Sequence, residues 1–331
     1  MPLCLVILIK RYMKRLLLPF ACIAFFTGSV NAQDELDSLL NAGSPEGGKE
    51  TVFATFKTTR VVNAQSIETV KKGVLDFRIT HRFGNMLIGT GGNSGAHTLW
   101  GFDDSRDIRF SFDYGVTQNL TLGFGRSKMN ELLDGTVKWR FLEQTVDNSV
   151  PVSIGLFLNA GLTPMREEQV YANVELDSTF QKKFAHRMSY TSQLIIARKF
   201  GQRFSLEIVP GYTHRNFVKA FANPNDTSAK DVNDIFSVGM ALRLKVSKRV
   251  AIVADYFYIA SAFRRNNPDY FDPIGIGVEI ETGGHVFHIN LTNAAGINEN
   301  NFIPYTTDDW LAGGYKMGFN ISRVFTFGNK H

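Results

Sequence analysis

Residues 315–327 read Tyr-Lys-Met-Gly-Phe-Asn-Ile-Ser-Arg-Val-Phe-Thr-Phe, and this stretch decides the fold. Tyr315, Met317, Phe319, Ile321, Phe325 and Phe327 occupy alternate positions. Lys316, Gly318, Asn320, Ser322 and Thr326 lie between them, and only Arg323 breaks the apolar row. Period-two alternation sends the two sets to opposite faces of a strand. A long strand that is apolar on one face and small or polar on the other suits lipid outside and a wet lumen inside.

Working back from this stretch, eleven earlier segments carry the same signal. They are 74–83, 107–116, 119–127, 134–142, 151–161, 187–198, 203–214, 235–246, 249–260, 273–282 and 285–292. Segment 107–116 is the cleanest: Ile108, Phe110, Phe112, Tyr114 and Val116 alternate with Arg109, Ser111, Asp113 and Gly115. Connections after even-numbered segments are short, such as 117–118, 247–248 and 283–284. Most of those after odd-numbered segments are long, such as 84–106, 162–186 and 293–313. Short turns at one end and long loops at the other are the habit of outer-membrane barrels. An even count puts both ends of the barrel chain on the short-turn, periplasmic side. Soluble sandwiches and barrels also alternate, but their outer faces meet water and show broken stripes. Here most outer stripes run four to six residues with almost no charge. The expected fold is an all-β, transmembrane, antiparallel up-and-down barrel of about twelve strands, with fourteen as the alternative.

Composition agrees. Aromatic residues make up 12% of the 331 residues, and 28 of them are Phe. Mean hydropathy is −0.09, and past residue 32 no run of 18 apolar residues appears, which excludes a helical membrane protein. Residues 1–32 read as a secretory signal, with Met13 as the expected start. Met13-Lys14-Arg15 is a positive n-region, 16–26 is an apolar core interrupted by Pro19, and Val30-Asn31-Ala32 is a cleavage site. An uncleaved anchor and a lipoprotein cysteine at Cys22 are weaker alternatives. Cys4 and Cys22 are the only cysteines, so cleavage leaves no disulfide, thiolate or Cys-metal chemistry. Cleavage also removes Lys10, Arg11, Lys14 and Arg15, leaving 36 − 4 = 32 basic against 31 acidic residues. The basic pI of 9.1 therefore carries no argument for a nucleic-acid partner.

Residues 33–73 depart from the barrel pattern. Ser44-Pro45-Glu46-Gly47-Gly48 is a linker. Residues 51–67 set Phe53, Phe56, Val61 and Val62 beside Lys57 and Arg60. The readings left open are a periplasmic segment, a plug in the lumen, or two extra strands. The expected layout is a signal peptide over 1–32, the N-terminal segment or plug over 33–73, and the barrel over 74–331. Residues 51–84, TVFATFKTTRVVNAQSIETVKKGVLDFRITHRFG, followed by SFDYGVTQNLTLGFGRS at 111–127, resemble a Bacteroidota family of outer-membrane β-barrels of unknown function (the domain-of-unknown-function 5777 type). The resemblance covers nearly all of the chain past the signal. It implies a barrel and a compartment, and brings no catalytic residues.

If the apolar stripes face lipid, the other parity lines the lumen. The candidates are Arg78, Arg82, Arg109, Asp113, Lys138, Arg140, Arg203, Glu207, Arg243, Asp255, Glu279, Glu281 and Lys316. Arg187, Lys245 and Asp76 share the same parity, giving ten cations against six anions. In a confined space these must largely pair, because isolated buried charges are costly. Twelve strands lie between the filled eight-stranded barrel and the open sixteen-stranded porin. The lumen is then either a narrow channel with mild anion preference or a closed salt-bridge network.

Other chemistry is weak. A lipid-facing hydrolase needs Ser and His together, and His81 and His285, of outward parity, have no His-x-Ser pair. Asp103-Asp104-Ser105-Arg106-Asp107 and Asp308-Asp309 offer calcium oxygens, but solvated loop carboxylates explain them as well. Gly123-Phe124-Gly125 precedes no helix and is not a dinucleotide loop. No cofactor, no metal and no enzymatic activity are expected. The expected function is passage of small solutes through a narrow or plugged outer-membrane channel. The rival is a non-transport barrel that docks a periplasmic or surface partner, with a hydrolase a distant third. The expected partners are outer-membrane lipid, the barrel-assembly machinery and a periplasmic protein contacting 33–73.

Overall fold

The structure, a computed structural model, describes residues 50–87, 95–172, 178–282 and 285–326. The signal sequence, the linker at 44–48 and Phe327 lie outside these residues. Among the described residues fourteen strands form: β1 Val74–Asn85, β2 Ser105–Gly115, β3 Leu120–Ser127, β4 Leu133–Leu142, β5 Ser153–Leu162, β6 Met188–Phe200, β7 Phe204–Arg215, β8 Ala222–Asn223, β9 Asp226–Lys230, β10 Asp234–Lys245, β11 Val250–Ala260, β12 Ile274–Thr282, β13 His285–Thr292 and β14 Lys316–Thr326. Twelve of them close an antiparallel barrel in chain order, while β8 and β9 form a separate hairpin in the long loop after β7. Closure runs from Val74↔Thr326 to Arg82↔Gly318, so the barrel has no free edge. Residues 51–67 supply no barrel strand, which rules out the fourteen-stranded barrel.

The outer face carries the expected apolar set, including Phe110, Phe112, Leu122, Phe124, Val238, Met240, Ile252, Ile276, Ile289 and Ile321, all exposed. Arg323 also points outward, its guanidinium 5.3 Å from the Phe325 ring, near the short-turn end, where a long cationic side chain reaches the interface. Short turns gather at one end, with the long loops opposite.

The inner face departs from expectation on one side. On β12, β13, β14 and β1 to β4 the buried inward residues are polar, small or charged, as the alternation implies. On β5, β6, β7, β10 and β11 many are apolar: Phe157, Ile195, Ala197, Val209, Ile235, Ala241, Ala251, Val253, Phe257 and Ile259. β11, VAIVADYFYIA, is apolar on both faces except at Asp255, and a strand apolar on both faces is one buried on both. Gln193 and Ser237 are polar exceptions on this side, meeting at Gly211.

What covers the apolar half is the segment before the barrel. Phe56, Val61, Val62, Ala64 and Ile67 belong to one buried cluster with Phe157, Ile195, Val209, Ile235, Val253 and Phe257. Residues 50–73 are thus a hairpin inside the lumen. Each large side chain buried there contributes about 1.5–3 kcal/mol, so insertion is favoured by the physics that packs a soluble core.

Candidate functional site: the plugged lumen

Both ends of the hairpin lie at the short-turn end. Val52 donates its N–H to the Gln144 carbonyl at 2.8 Å, and Val146 to Glu50 at 3.0 Å, both at the β4–β5 turn. On the return, Thr69 Oγ1 donates to the Gln118 carbonyl at 2.7 Å in the β2–β3 turn. Gly115 permits the exit into β1, since a Cβ there would stand 2.1 Å from the Lys71 carbonyl oxygen. Between these points the two arms bridge at Arg60 and Gln65 and turn at residues 61–64, where the Val61 N–H donates to the Ala64 carbonyl at 2.8 Å.

The tip is held by one carboxylate. Asp255 Oδ2 accepts the backbone N–H of Val62 at 3.0 Å, Asn63 at 2.5 Å and Ala64 at 2.9 Å. Its Oδ1 accepts Asn63 Nδ2 at 2.8 Å. Successive N–H groups converging on one anion form a backbone nest, and this one needs the aspartate on the wall of β11. Val62 also packs onto Gly275, where a Cβ would come within 2.6 Å of its Cγ1.

A second segment descends from the other end. The loop between β13 and β14 carries helix α1, Glu299–Tyr305, capped by Asn298, whose side chain accepts the Asn300 N–H. Six of its seven residues are buried. Glu299 accepts Arg60 Nη2 at 2.6 Å and Gln65 Nε2 at 3.0 Å, so hairpin and loop meet inside the barrel. Arg60 Nη1 also donates to the Asn63 and Ile297 carbonyls. Asp107 accepts Ile297 N–H at 3.0 Å and Met129 N–H at 2.9 Å. Asn300 contacts Thr191 and Asn159.

Twelve of the thirteen predicted lumen residues do face inward. Asp76 and Arg78 pair at 2.7 Å, Arg243 and Glu279 at 2.7 Å, and Arg243 and Glu281 at 3.5 Å. Arg109 pairs with Asp134 and Lys316 with Asp308. Arg140 lies 3.6 Å from Glu68 of the hairpin. Asp113 and Glu207 also stand on the inner wall, Glu207 opposite Ala197 and Ala241. Arg82 and Lys138 end on carbonyls. Arg82 Nη1 reaches Ala294 at 2.8 Å, and Lys138 Nζ reaches Thr59 at 2.7 Å and Ser66 at 3.1 Å.

Arg203 is the correction. It is exposed in the turn between β6 and β7, because ladder pairing ends at Phe200↔Phe204 and Gly201 turns the chain at φ 68°. Arg187 likewise precedes β6 at the long-loop end. Asp107 and Asp134, both buried, join the inward set, so the cationic excess that suggested anion preference disappears. Sequence reasoning also missed the hairpin partners of Asp255 and the role of Glu299, which lie about 190 and 240 residues from the residues they hold.

A closed barrel with an apolar belt agrees with the family match. The model of the membrane bound beta barrel domain (DUF5777) covers residues 56–325. The chain belongs to this family. The matched region begins inside the hairpin rather than at β1. No curated protein matches the chain. Among solved structures it is similar to the NanC porin (7% identity, TM-score 0.42, 77% of this chain and 100% of that one). It is also similar to the KdgM porin in complex with disordered oligogalacturonate (8%, 0.37, 77% and 99%). A third is the COG4313 outer membrane channel from Pseudomonas putida F1 (12%, 0.44, 80% and 100%).

Proposed function

We propose that this outer-membrane barrel is a channel for small solutes held shut by its own N-terminal hairpin. The observation that carries the reading is the hairpin's path: both ends leave at the short-turn end while the tip rests on Asp255. Nothing has to be threaded for it to withdraw toward the periplasm. The stretch before Glu50 is then the handle on which a periplasmic partner acts, which joins the docking reading to the channel reading. Export through a signal cleaved near Ala32 precedes assembly. With opposite charges level on the inner wall, the opened lumen discriminates weakly between ions.

Planar-bilayer recording tests this. The full chain should be nearly silent, and a chain in which residues 51–68 are replaced by a short Gly/Ser link should conduct in discrete steps. A replaced chain that folds, as judged by heat-dependent gel mobility, yet stays silent would overturn the channel reading.

A further inference from the structure

We propose that the short-turn mouth of the barrel seats an extended acidic segment of a periplasmic protein, on the cations of the β6–β7 and β10–β11 turns. The inference rests on the plugged-channel reading and gives the chemistry of the partner that reaches the hairpin. Arg198, Lys199 and Arg203 stand in and beside the first turn, and Lys245, Lys248 and Arg249 in and beside the second. Residues 198–206 and 244–254 contain no acidic residue. The two turns form one surface, because Leu244 faces Phe204 across the ladder and the Lys245 N–H donates to the Arg203 carbonyl at 2.8 Å.

Charges beside this surface are paired, while those on it are not. Arg140 lies 3.6 Å from Glu68 and 3.5 Å from Glu143, and Lys57 lies 3.4 Å from Glu281. Glu281, whose N–H donates to the Arg249 carbonyl at 2.8 Å, gives its other carboxylate oxygen to Arg243 at 3.5 Å. Arg203, Lys245, Lys248 and Arg249 form no ion pair among the described residues. Arg203, Lys248 and Arg249 are exposed. Clustered like charges repel one another, and the positive potential they raise draws an anionic partner from solution.

The width and direction of the surface select the occupant. It spans β6, β7, β10 and β11, about 14 Å at about 4.8 Å per strand spacing, which is the length of about four extended residues. One carboxylate or phosphate covers a fraction of that width, whereas successive Asp or Glu side chains follow it. Membrane phosphates lie on the outer side, where this rim presents exposed Phe200, Phe204 and Val246. The Phe200 and Phe204 rings stand 5.8 Å apart across the turn, and aromatic residues at a strand end mark the membrane interface. Lys199 and Lys245 instead share the inward parity of Ala197 and Arg243, and Lys199 Nζ reaches the Phe53 carbonyl of the hairpin at 2.9 Å. The Gln144 side chain accepts the Lys199 N–H at 2.9 Å and donates to its carbonyl at 3.1 Å, while the Gln144 carbonyl accepts Val52. An acidic segment seated here therefore competes with the Phe53 carbonyl for the lysine at the hairpin's entry.

Fluorescence anisotropy of a labelled deca-glutamate peptide tests the proposal on the full chain in phosphatidylcholine nanodiscs. The peptide should bind, and binding should weaken as salt screens the charges. Arg203→Glu combined with Lys248→Glu and Arg249→Glu should weaken it by about tenfold or more. Lys128→Glu combined with Lys183→Glu and Lys230→Glu changes net charge equally at the long-loop end and should leave binding as it was. Heat-dependent gel mobility checks folding of each variant. Arg203→Gln with Arg249→Gln, expected to lose severalfold, carries the test where charge reversal blocks folding. No binding, or equal loss in the two triple variants, would overturn the proposal. So would a chain that ignores the peptide but, unlike its Arg203/Lys248/Arg249 variant, enriches phosphatidylglycerol from mixed vesicles, since the cations would then serve lipid. Binding is read without current, so its failure is distinct from a silent bilayer.

Discussion

On β5, β6, β7, β10 and β11 the barrel turns Phe157, Ile195, Val209, Ile235 and Val253 toward the hairpin. On β12 to β14 and β1 to β4 it turns Arg78, Arg109, Asp134, His288, Asn290 and Asn320 toward the same lumen. The first wall holds the hairpin by excluding water and, at the tip, by the Asp255 carboxylate; the second holds it by ion pairs and by cations on hairpin carbonyls. A plug gripped by apolar contact alone would be hard to release in water, and one gripped by charges alone would leave a wet, leaky lumen. This division seals one side and leaves the other polar. It also makes the two walls respond differently to mutation.

The largest effect is expected from Val209→Asp, at a position that faces Gly239 across the ladder within the buried apolar cluster. It places an unpaired charge in the dry half, at a cost of about 3–5 kcal/mol. Lys57 and Arg60 of the hairpin should then become trypsin sites in the folded barrel. A hairpin that remains protected would show that the apolar wall is not what seals it. Next comes Asp255→Ala, which strips the tip of its four hydrogen bonds and leaves three buried N–H groups bare, for about 2–3 kcal/mol of hairpin stability. Open-channel bursts should rise while barrel folding is unchanged. Asp255→Asn retains part of the nest and should fall between the two.

What could be read from the chain follows from which contacts are local. Lipid demands an unbroken apolar face, so period-two stripes announced all twelve barrel strands, each to within a few residues of its observed ends. The inner face obeys no such rule where a plug covers it. The continuous run at Val250–Ala260 signalled burial on both sides, but alternation read on one parity concealed it. Arg203 shows the cost of a one-residue boundary error: a strand drawn from 203 gives it a lumen side chain that the turn removes. The nest at Asp255 and the Arg60–Glu299 pair had no local signature, since their partners are distant in sequence and are joined only by barrel closure.

Away from both walls, Asp231 ties the loop before β10 to Arg215 at 2.7 Å and to Arg264 at 2.9 Å. Burial works against its charge, but the Arg215 hydrogen bond and charge, with Arg264, outweigh it and hold the carboxyl below the usual range. A depressed carboxylate lends stability above its unfolded pKa of about 3.9, and that stability is lost as pH falls through the lower folded value. Asp231→Asn should cost about 1.5 kcal/mol of loop order at neutral pH and flatten the acid limb of loop proteolysis. An unchanged acid limb would mean that Asp231 does not set the loop's response.

The smallest effect is the most discriminating. Asn290 is as buried as the apolar residues opposite, and a buried side chain that packs against protein should be costly to truncate. Its Oδ1, however, has no hydrogen-bond partner among the described residues, and glycines flank it on both sides. Asn290→Ala therefore removes a polar group without breaking a protein hydrogen bond at that oxygen. The expected change in stability is under about 1 kcal/mol, with the hairpin still protected from trypsin. A loss approaching that of Val209→Asp would show both walls to be equally part of one packed core. A small loss would mean that Asn290, unlike the apolar residues opposite, contributes little to holding the plug.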